Sequence, residues 1–198
     1  MNNKRSRIPI RRAYGFNDKM TVSEKIFFGL TCTLSAFFIA IIQTCFFFNF
    51  RPFGCAPDLC LALAVATGLK FGAKCGGIVG LLSGFFLDCI SSSGLSLAIP
   101  FYLALGITVG LLFNDDSELN LPHFILFLVG IGMGVIVKGF FSTVSICVTF
   151  SSFNIADVLF KTVLPEAIST LVFSLTVYPI AALISSVIRK KQGFAPKK

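Results

Sequence analysis

The sequence predicts an all-α, polytopic integral membrane protein with six transmembrane helices, and three observations support this fold class. Hydrophobic residues make up 55% of the 198-residue chain, charged residues make up 13%, and the mean hydropathy is +0.87. This composition lies far from that of an average soluble domain. Apolar runs long enough to cross a bilayer recur along the chain. Basic residues flank the apolar region on both sides, which the positive-inside rule explains if both termini are cytoplasmic.

The position of the basic residues sets the predicted orientation and the number of spans. Twelve of the 17 basic residues precede the first apolar run or follow the last, and they supply most of the net charge of +8. They are Lys4, Arg5, Arg7, Arg11, Arg12, Lys19, Lys25, Arg189, Lys190, Lys191, Lys197 and Lys198. Basic tails can also bind nucleic acid, but the positive-inside rule is the better explanation of this pattern. We expect cytoplasmic tails at 1–24 and 189–198, and a single transmembrane domain at 25–188 with an even number of spans.

The predicted spans, in order, are 25–48, 57–69, 72–90, 95–113, 123–150 and 166–188. The first apolar run is too long for a signal peptide and is expected to remain as a span. At the start of the second span, Pro57 suits the first helical turn and Asp58 suits the positive end of the helix dipole. Lys70 and Lys74 bracket a tight turn on the cytoplasmic side, as the orientation requires.

The connections after the third span are also predicted from composition. A Ser/Gly turn at 91–94 leads into the fourth span on the outer side. The loop at 114–122 is acidic, but the positive-inside rule counts lysine and arginine and not net charge. Residues 151–165 are mixed in character and predict an interfacial turn on the outer surface. All of these connections are compatible with six spans.

The third span carries a regular series of small residues. Gly72, Gly76, Gly80 and Gly84 fall every fourth residue, and Asp88 continues the same spacing. Residues four apart share one face of a helix, so the glycines predict a smooth helix-packing groove about 24 Å long. In lipid, such a face allows close approach of a second helix. The pattern leaves open whether that helix belongs to a partner protein or to this chain.

The fifth span contains a lysine, which predicts an intramembrane charge cluster. A lysine at the centre of a span costs roughly 2.5–3.5 kcal/mol on insertion scales, so Lys138 should face protein or water. It lies about 22 Å along the helix from His123, in the outer half of the bilayer. Asp58, Asp88 and Glu166 are expected at similar depth. Alternatively, Asp58 and Glu166 are helix-start residues, Asp88 is an ordinary helix-end residue and Lys138 reaches the interface with its long stem.

The sequence offers little that could perform chemistry. His123 is the single histidine and lies at a predicted interface, and no hydrolase, zinc-protease or phosphate-loop motif occurs. The seven cysteines form no C-x-x-C pair and are expected to be buried free thiols, although Cys55 could pair with Cys60 or Cys89 near the outer surface. The sequence therefore predicts a protein that is not an enzyme, with no catalytic residues, cofactor or metal.

The segment 57–113 combines several short motifs in a fixed order. A Pro-Asp-Leu sequence starts the second span, and a basic residue lies near the tight inner turn. The third span contains Gly-x-x-x-Gly, ends in Gly-x-x-x-Asp and is followed by a small Ser/Gly turn. In this order and spacing the segment resembles the MreD family of bacterial rod shape-determining membrane proteins. The matched positions are Pro57, Asp58, Gly80, Gly84 and Asp88.

The resemblance implies a non-catalytic scaffold of the cell-elongation machinery in the bacterial cytoplasmic (inner) membrane. Proteins of that family accompany the bitopic protein MreC and through it the actin-like MreB, and they help localise or regulate a peptidoglycan synthase complex. The family is similar in fold to the substrate-binding subunit of energy-coupling-factor vitamin transporters, and a solute-binding transport subunit is the alternative function. Ala36 and Ala40 have the Ala-x-x-x-Ala spacing with which such subunits dock their coupling partner. Few residues suited to a vitamin pocket occur in the outer loops.

Overall fold

The structure, a computed structural model, describes residues 22–51, 54–91, 98–113, 123–149 and 159–191. This part of the chain is all-helical. The helices are α1 (Val22–Ile41), α2 (Leu59–Phe71), α3 (Ala73–Ser91), α4 (Ala98–Leu112), α5 (His123–Thr149) and α6 (Leu164–Lys191). A π-helical stretch, Ile42–Phe46, and a short turn, Phe47–Asn49, extend α1. A second π-helical stretch, Leu159–Val163, leads directly into α6.

Length and composition indicate a multi-pass membrane protein. Within the described residues, four segments are long and apolar enough to cross a bilayer: Ile26–Phe46, Ala73–Ile90, Phe124–Thr143 and Phe160–Ile180. The other two helices, α2 and α4, are apolar but have only 13 and 15 residues. A helix needs about 20 residues to cross the hydrocarbon core unaided. The all-α class is therefore confirmed, whereas the number of complete crossings is not fixed by length alone.

Contacts between helices show that successive helices run in opposite directions. Gly80 of α3 lies against Tyr102 of α4, and Gly84 lies against Ile99. Residue numbers therefore rise along α3 in the direction in which they fall along α4, so the two helices are antiparallel. The contacts that fix the remaining directions join Phe28 to Phe71, Gln43 to Cys60, Gly68 to Gly76, Val65 to Gly130, Asp58 to Lys138, Lys138 to Glu166 and Phe127 to Tyr178. The start of α1 and the end of α6 therefore lie at the same end of the bundle.

The shortest helix, α2, lies at the centre of the bundle. Every residue from Leu59 to Leu69 is buried. The other five helices all pack against it. A helix that is apolar on every side is stable only when it is covered on every side, so α2 is a core helix with little access to lipid. Its N-terminus brings Asp58 into the interior of the protein.

The helix boundaries agree with the predicted spans to within about three residues, and two of the differences change the role predicted for a residue. Gly72 lies between α2 and α3, has a positive φ of 85° and donates its N–H to the Gly68 carbonyl, so it belongs to the turn and not to the predicted glycine face. Glycine suits this turn because L side chains rarely adopt such a φ. Pro57 was predicted in the first helical turn but precedes the N-cap Asp58, two residues before α2 begins. The predicted loops at 92–94, 114–122 and 151–158, and most of both tails, lie outside the described residues.

Candidate functional site

Three of the predicted charged residues meet inside the bundle, and we refer to Asp58, Lys138 and Glu166 as the charge cluster. The Lys138 Nζ lies 2.6 Å from Asp58 Oδ2 and 2.6 Å from Glu166 Oε1. Asp58 is 1% exposed, Glu166 is 21% exposed and Lys138 is 33% exposed. The cluster thus joins the start of α2, the second half of α5 and the start of α6. Two carboxylates and one ammonium give it a net formal charge of −1.

Asp58 has further partners that satisfy its buried carboxylate. The Tyr102 hydroxyl donates to Oδ2 at 2.6 Å, and the Leu61 N–H donates to Oδ1 at 3.0 Å. The second bond is an N-cap bond, which satisfies one of the free N–H groups at the start of α2. Buried carboxylates are stable only with several such partners, because burial removes their hydration. Asp58 therefore acts at once as a helix cap and as an ion-pair partner.

Two further polar residues connect the cluster to α1 and α6. Gln43, in the π-helical stretch after α1, accepts from the Cys60 N–H at 2.9 Å and donates to Asp58 Oδ1 at 3.4 Å. Thr170 of α6 accepts from the Asp58 N–H at 2.9 Å. A π-helical stretch often marks the position where a side chain is turned toward a specific contact. All helices except α3 thus place a side chain in, or hydrogen-bonded to, this network.

Asp88, the fourth residue expected in the charge cluster, contacts the start of α4. Its Oδ2 accepts from the Ile99 N–H at 3.3 Å, near the start of α4. The ion pairs of the Lys138 ammonium within the described residues are with Asp58 and Glu166. A carboxylate near the positive end of the α4 dipole is favourable, and it satisfies a helical N–H that has no partner within α4. The Gly-x-x-x-Asp motif thus links the end of α3 to the start of α4.

The glycine face of α3 packs against α4 of the same chain. A Cβ added at Gly76 would lie 2.6 Å from the Gly106 carbonyl oxygen, and one added at Gly84 would lie 2.6 Å from Ile99 Cα. At Gly80 an added Cβ would overlap the Tyr102 carbonyl. These neighbours are backbone atoms, which cannot rotate away. The expected groove is therefore real from Gly76 to Gly84, but it is already filled and cannot also receive a partner helix.

Two apolar grooves border α5 in the described part of the chain. The α4–α5 groove has a volume of about 710 Å³ and is lined by side chains that include Ala104, Thr108, Met133 and Lys138. The α5–α6 groove, of about 320 Å³, includes Gly132 in its lining. The first groove exists because α4 packs closely on α3 but meets α5 at few points.

The chemistry available in the described residues is limited. No group of three or more histidine, cysteine, aspartate and glutamate side chains in them is placed to hold a metal ion. Cys55, Cys60 and Cys89 are all free thiols in the structure. The pKa of the Cys55 thiol is raised mainly by partial burial and also by the nearby Glu166 carboxylate, while Arg51 opposes the shift. A thiol with a raised pKa is a poor nucleophile at neutral pH.

Sequence reasoning missed three members of the network: Gln43, Tyr102 and Thr170. Each is a polar side chain within an apolar run and near the same end of the bundle as Asp58. Polar groups that are buried in the membrane need hydrogen-bond partners, so the shared depth of these residues could have predicted that they form one network. They were not singled out because a glutamine or threonine within a span costs far less insertion free energy than a lysine.

Comparison of the chain with protein-family models, with curated proteins and with solved structures finds no match.

Proposed function

We propose that this chain is a non-catalytic membrane scaffold of the bacterial cell-elongation machinery. In this role it binds the transmembrane helix of an MreC-like bitopic protein, and through it connects to MreB and a peptidoglycan synthase complex. The motif order in 57–113 supports the assignment. The geometry supports a non-catalytic role, because the charged groups of the cluster are paired with one another inside the protein, as in a structural ion pair.

The proposed topology has six spans with both termini in the cytoplasm and resembles the energy-coupling-factor substrate-binding subunit. The alternating helix directions support it, since they bring the start of α1 and the end of α6 to one end of the bundle. Lys70 and Lys74 lie at that same end, where the positive-inside rule expects basic residues. The short helix α2 is covered by its neighbours, so it need not match the full thickness of the bilayer.

The observation that carries the partner proposal is the α5–α6 groove. It is apolar, and Gly132 lines it with open space where a Cβ would be. Val135, Val163 and Ala167 lie in the same lining. In lipid, helices associate by close packing at small residues, so an open glycine in a groove suits the approach of a second helix. The filled glycine face of α3 cannot serve this purpose.

Substitution of Gly132 tests the proposal without disturbing the interior. Gly132→Leu places a side chain in the groove, and Gly29→Leu is the matched control because an added Cβ at Gly29 also meets no atom within 4 Å. We expect both variants to insert into the membrane. We expect Gly132→Leu to reduce co-purification of the MreC-like protein by about tenfold or more and to widen the cells, while Gly29→Leu changes neither. Normal co-purification and normal cell width for Gly132→Leu would refute the assignment.

The residues expected to dock a coupling partner do not support the transport alternative. Ala36 and Ala40, the residues with docking-patch spacing, are each 0% exposed because they pack within the chain. A coupling partner could not reach them without rearrangement of α1. Binding of a vitamin, measured as a rise in the unfolding temperature of the purified protein, would favour the transport function over the scaffold function.

A further inference from the structure

The α4–α5 groove has features that the scaffold role does not use. Its volume of about 710 Å³ is bounded by apolar side chains along most of its length, among them Leu105, Val109, Met133 and Val137. Sites of roughly 300–1,000 Å³ accept single small ligands or parts of them. A groove of this kind within a bilayer is surrounded by lipid chains, and its apolar lining suits hydrocarbon.

One end of the groove is polar. Lys138 and Tyr102 line it there, at the level of the charge cluster. A lysine ammonium carries three N–H donors, and two of those of Lys138 are directed to Asp58 and Glu166. Among the described residues, no third acceptor for this ammonium is found, and the Lys138 side chain is 33% exposed. The remaining donor is therefore available to a molecule in the groove.

The charge of the cluster determines which acceptor fits. Because the cluster already has a net formal charge of −1, a full anion beside Lys138 would also meet the fields of two carboxylates. A neutral oxygen acceptor gains the hydrogen bond to a charged donor without that repulsion. The ester carbonyl of a glycerophospholipid is such an acceptor, and it is attached directly to an acyl chain.

We propose that the α4–α5 groove is a phospholipid site, in which one acyl chain lies along the groove and its ester carbonyl accepts from Lys138. The lipid is one of the leaflet nearest the charge cluster. It covers the face of α5 that α4 leaves open, so a bound lipid is part of the packed domain. This site lies on the opposite side of α5 from the proposed partner groove, and either assignment can fail without the other.

A matched pair of lipids tests the carbonyl in the unmodified protein. The probes are a dialkanoyl phosphatidylcholine, with ester linkages, and the dialkyl phosphatidylcholine of equal chain length, with ether linkages. Retention of each lipid by the purified full-length chain is measured by native mass spectrometry across a lipid titration. We expect the ester lipid to bind about tenfold more tightly, because the ether lacks the carbonyl acceptor. Equal retention of the two lipids would overturn the proposal.

A matched pair of variants tests the location. Ala104 is exposed in the groove lining, so Ala104→Phe fills the groove without contacting the core. Leu111 lies on the same helix, is 69% exposed and is outside the groove lining, so Leu111→Phe is the control. We expect Ala104→Phe to lose at least tenfold in retention of the ester lipid, with Leu111→Phe unchanged. Full retention by Ala104→Phe, or recovery of a polar solute in place of lipid, would contradict the site; the ester–ether comparison decides the matter if Ala104→Phe does not fold.

Discussion

Alanine at Gly84 and alanine at Gly132 should change stability in opposite directions. At Gly84 the new Cβ would lie 2.6 Å from Ile99 Cα and 2.8 Å from the Ala98 carbonyl oxygen. Ordinary carbon contacts begin near 3.5 Å, so α3 and α4 must separate by about 1 Å. Overpacking of this kind typically costs about 1–3 kcal/mol, of which the better helix propensity of alanine offsets about 0.5–1 kcal/mol. At Gly132 no atom lies within 4 Å of the new Cβ, so only the propensity gain remains.

The assay compares apparent unfolding temperatures in one detergent at one scan rate. The chain has no tryptophan, so helix content is followed by circular dichroism. We expect Gly84→Ala to unfold below the wild-type temperature, by a net loss of up to about 2.5 kcal/mol, and Gly132→Ala to unfold at or above it. If Gly84→Ala is as stable as the wild type, or the two variants shift in the same direction and by the same amount, the close α3–α4 packing is wrong.

Two further predictions concern the polar contacts. Lys138→Met leaves the buried Asp58 carboxylate without its cation and should destabilise the protein by about 3–5 kcal/mol. Adding Asp58→Asn should restore more than half of this loss, because asparagine still caps α2. Equal unfolding temperatures for the single and double variants would contradict the ion pair. Asp88→Ala should cost about 0.5–2 kcal/mol of stability, because it removes the acceptor for the Ile99 N–H. Asp88→Asn should have an unfolding temperature closer to that of the wild type in the same assay. If Asp88→Ala unfolds at the wild-type temperature, the capping contact has no energetic role.

Depth in the membrane is predictable from sequence, whereas direction around a helix axis is less so. Counting the helical rise from His123 places Lys138 at the same end of the bundle as the starts of α2 and α6, and the structure brings it against Asp58 and Glu166. The same counting placed Asp88 at this end as well. It could not tell that Asp88 faces the start of α4, because azimuth depends on how neighbouring helices pack.

The helix that packs against the glycine face could also have been predicted from the sequence. Gly106 and Gly110 of α4 repeat the four-residue spacing, and the added-Cβ positions show that they lie directly against Gly76 and Ala73. Two small-residue faces on consecutive helices that are joined by a short connection predict each other as neighbours. The α3 series considered alone does not identify the helix that packs against it. Reciprocal patterns are therefore more informative than either face by itself.

The glycine seam and the charge cluster stabilise different parts of the bundle. In lipid there is no hydrophobic drive to bring apolar helices together, so association depends on close packing and on interhelical hydrogen bonds. Glycines supply close packing among α2, α3 and α4, where backbones almost touch. Few such contacts join α5 to α4, and here Lys138 links α5 to both α2 and α6 by ion pairs. The costly lysine thus lies on a helix that has few contacts with α4, and an apolar groove borders that helix on each side.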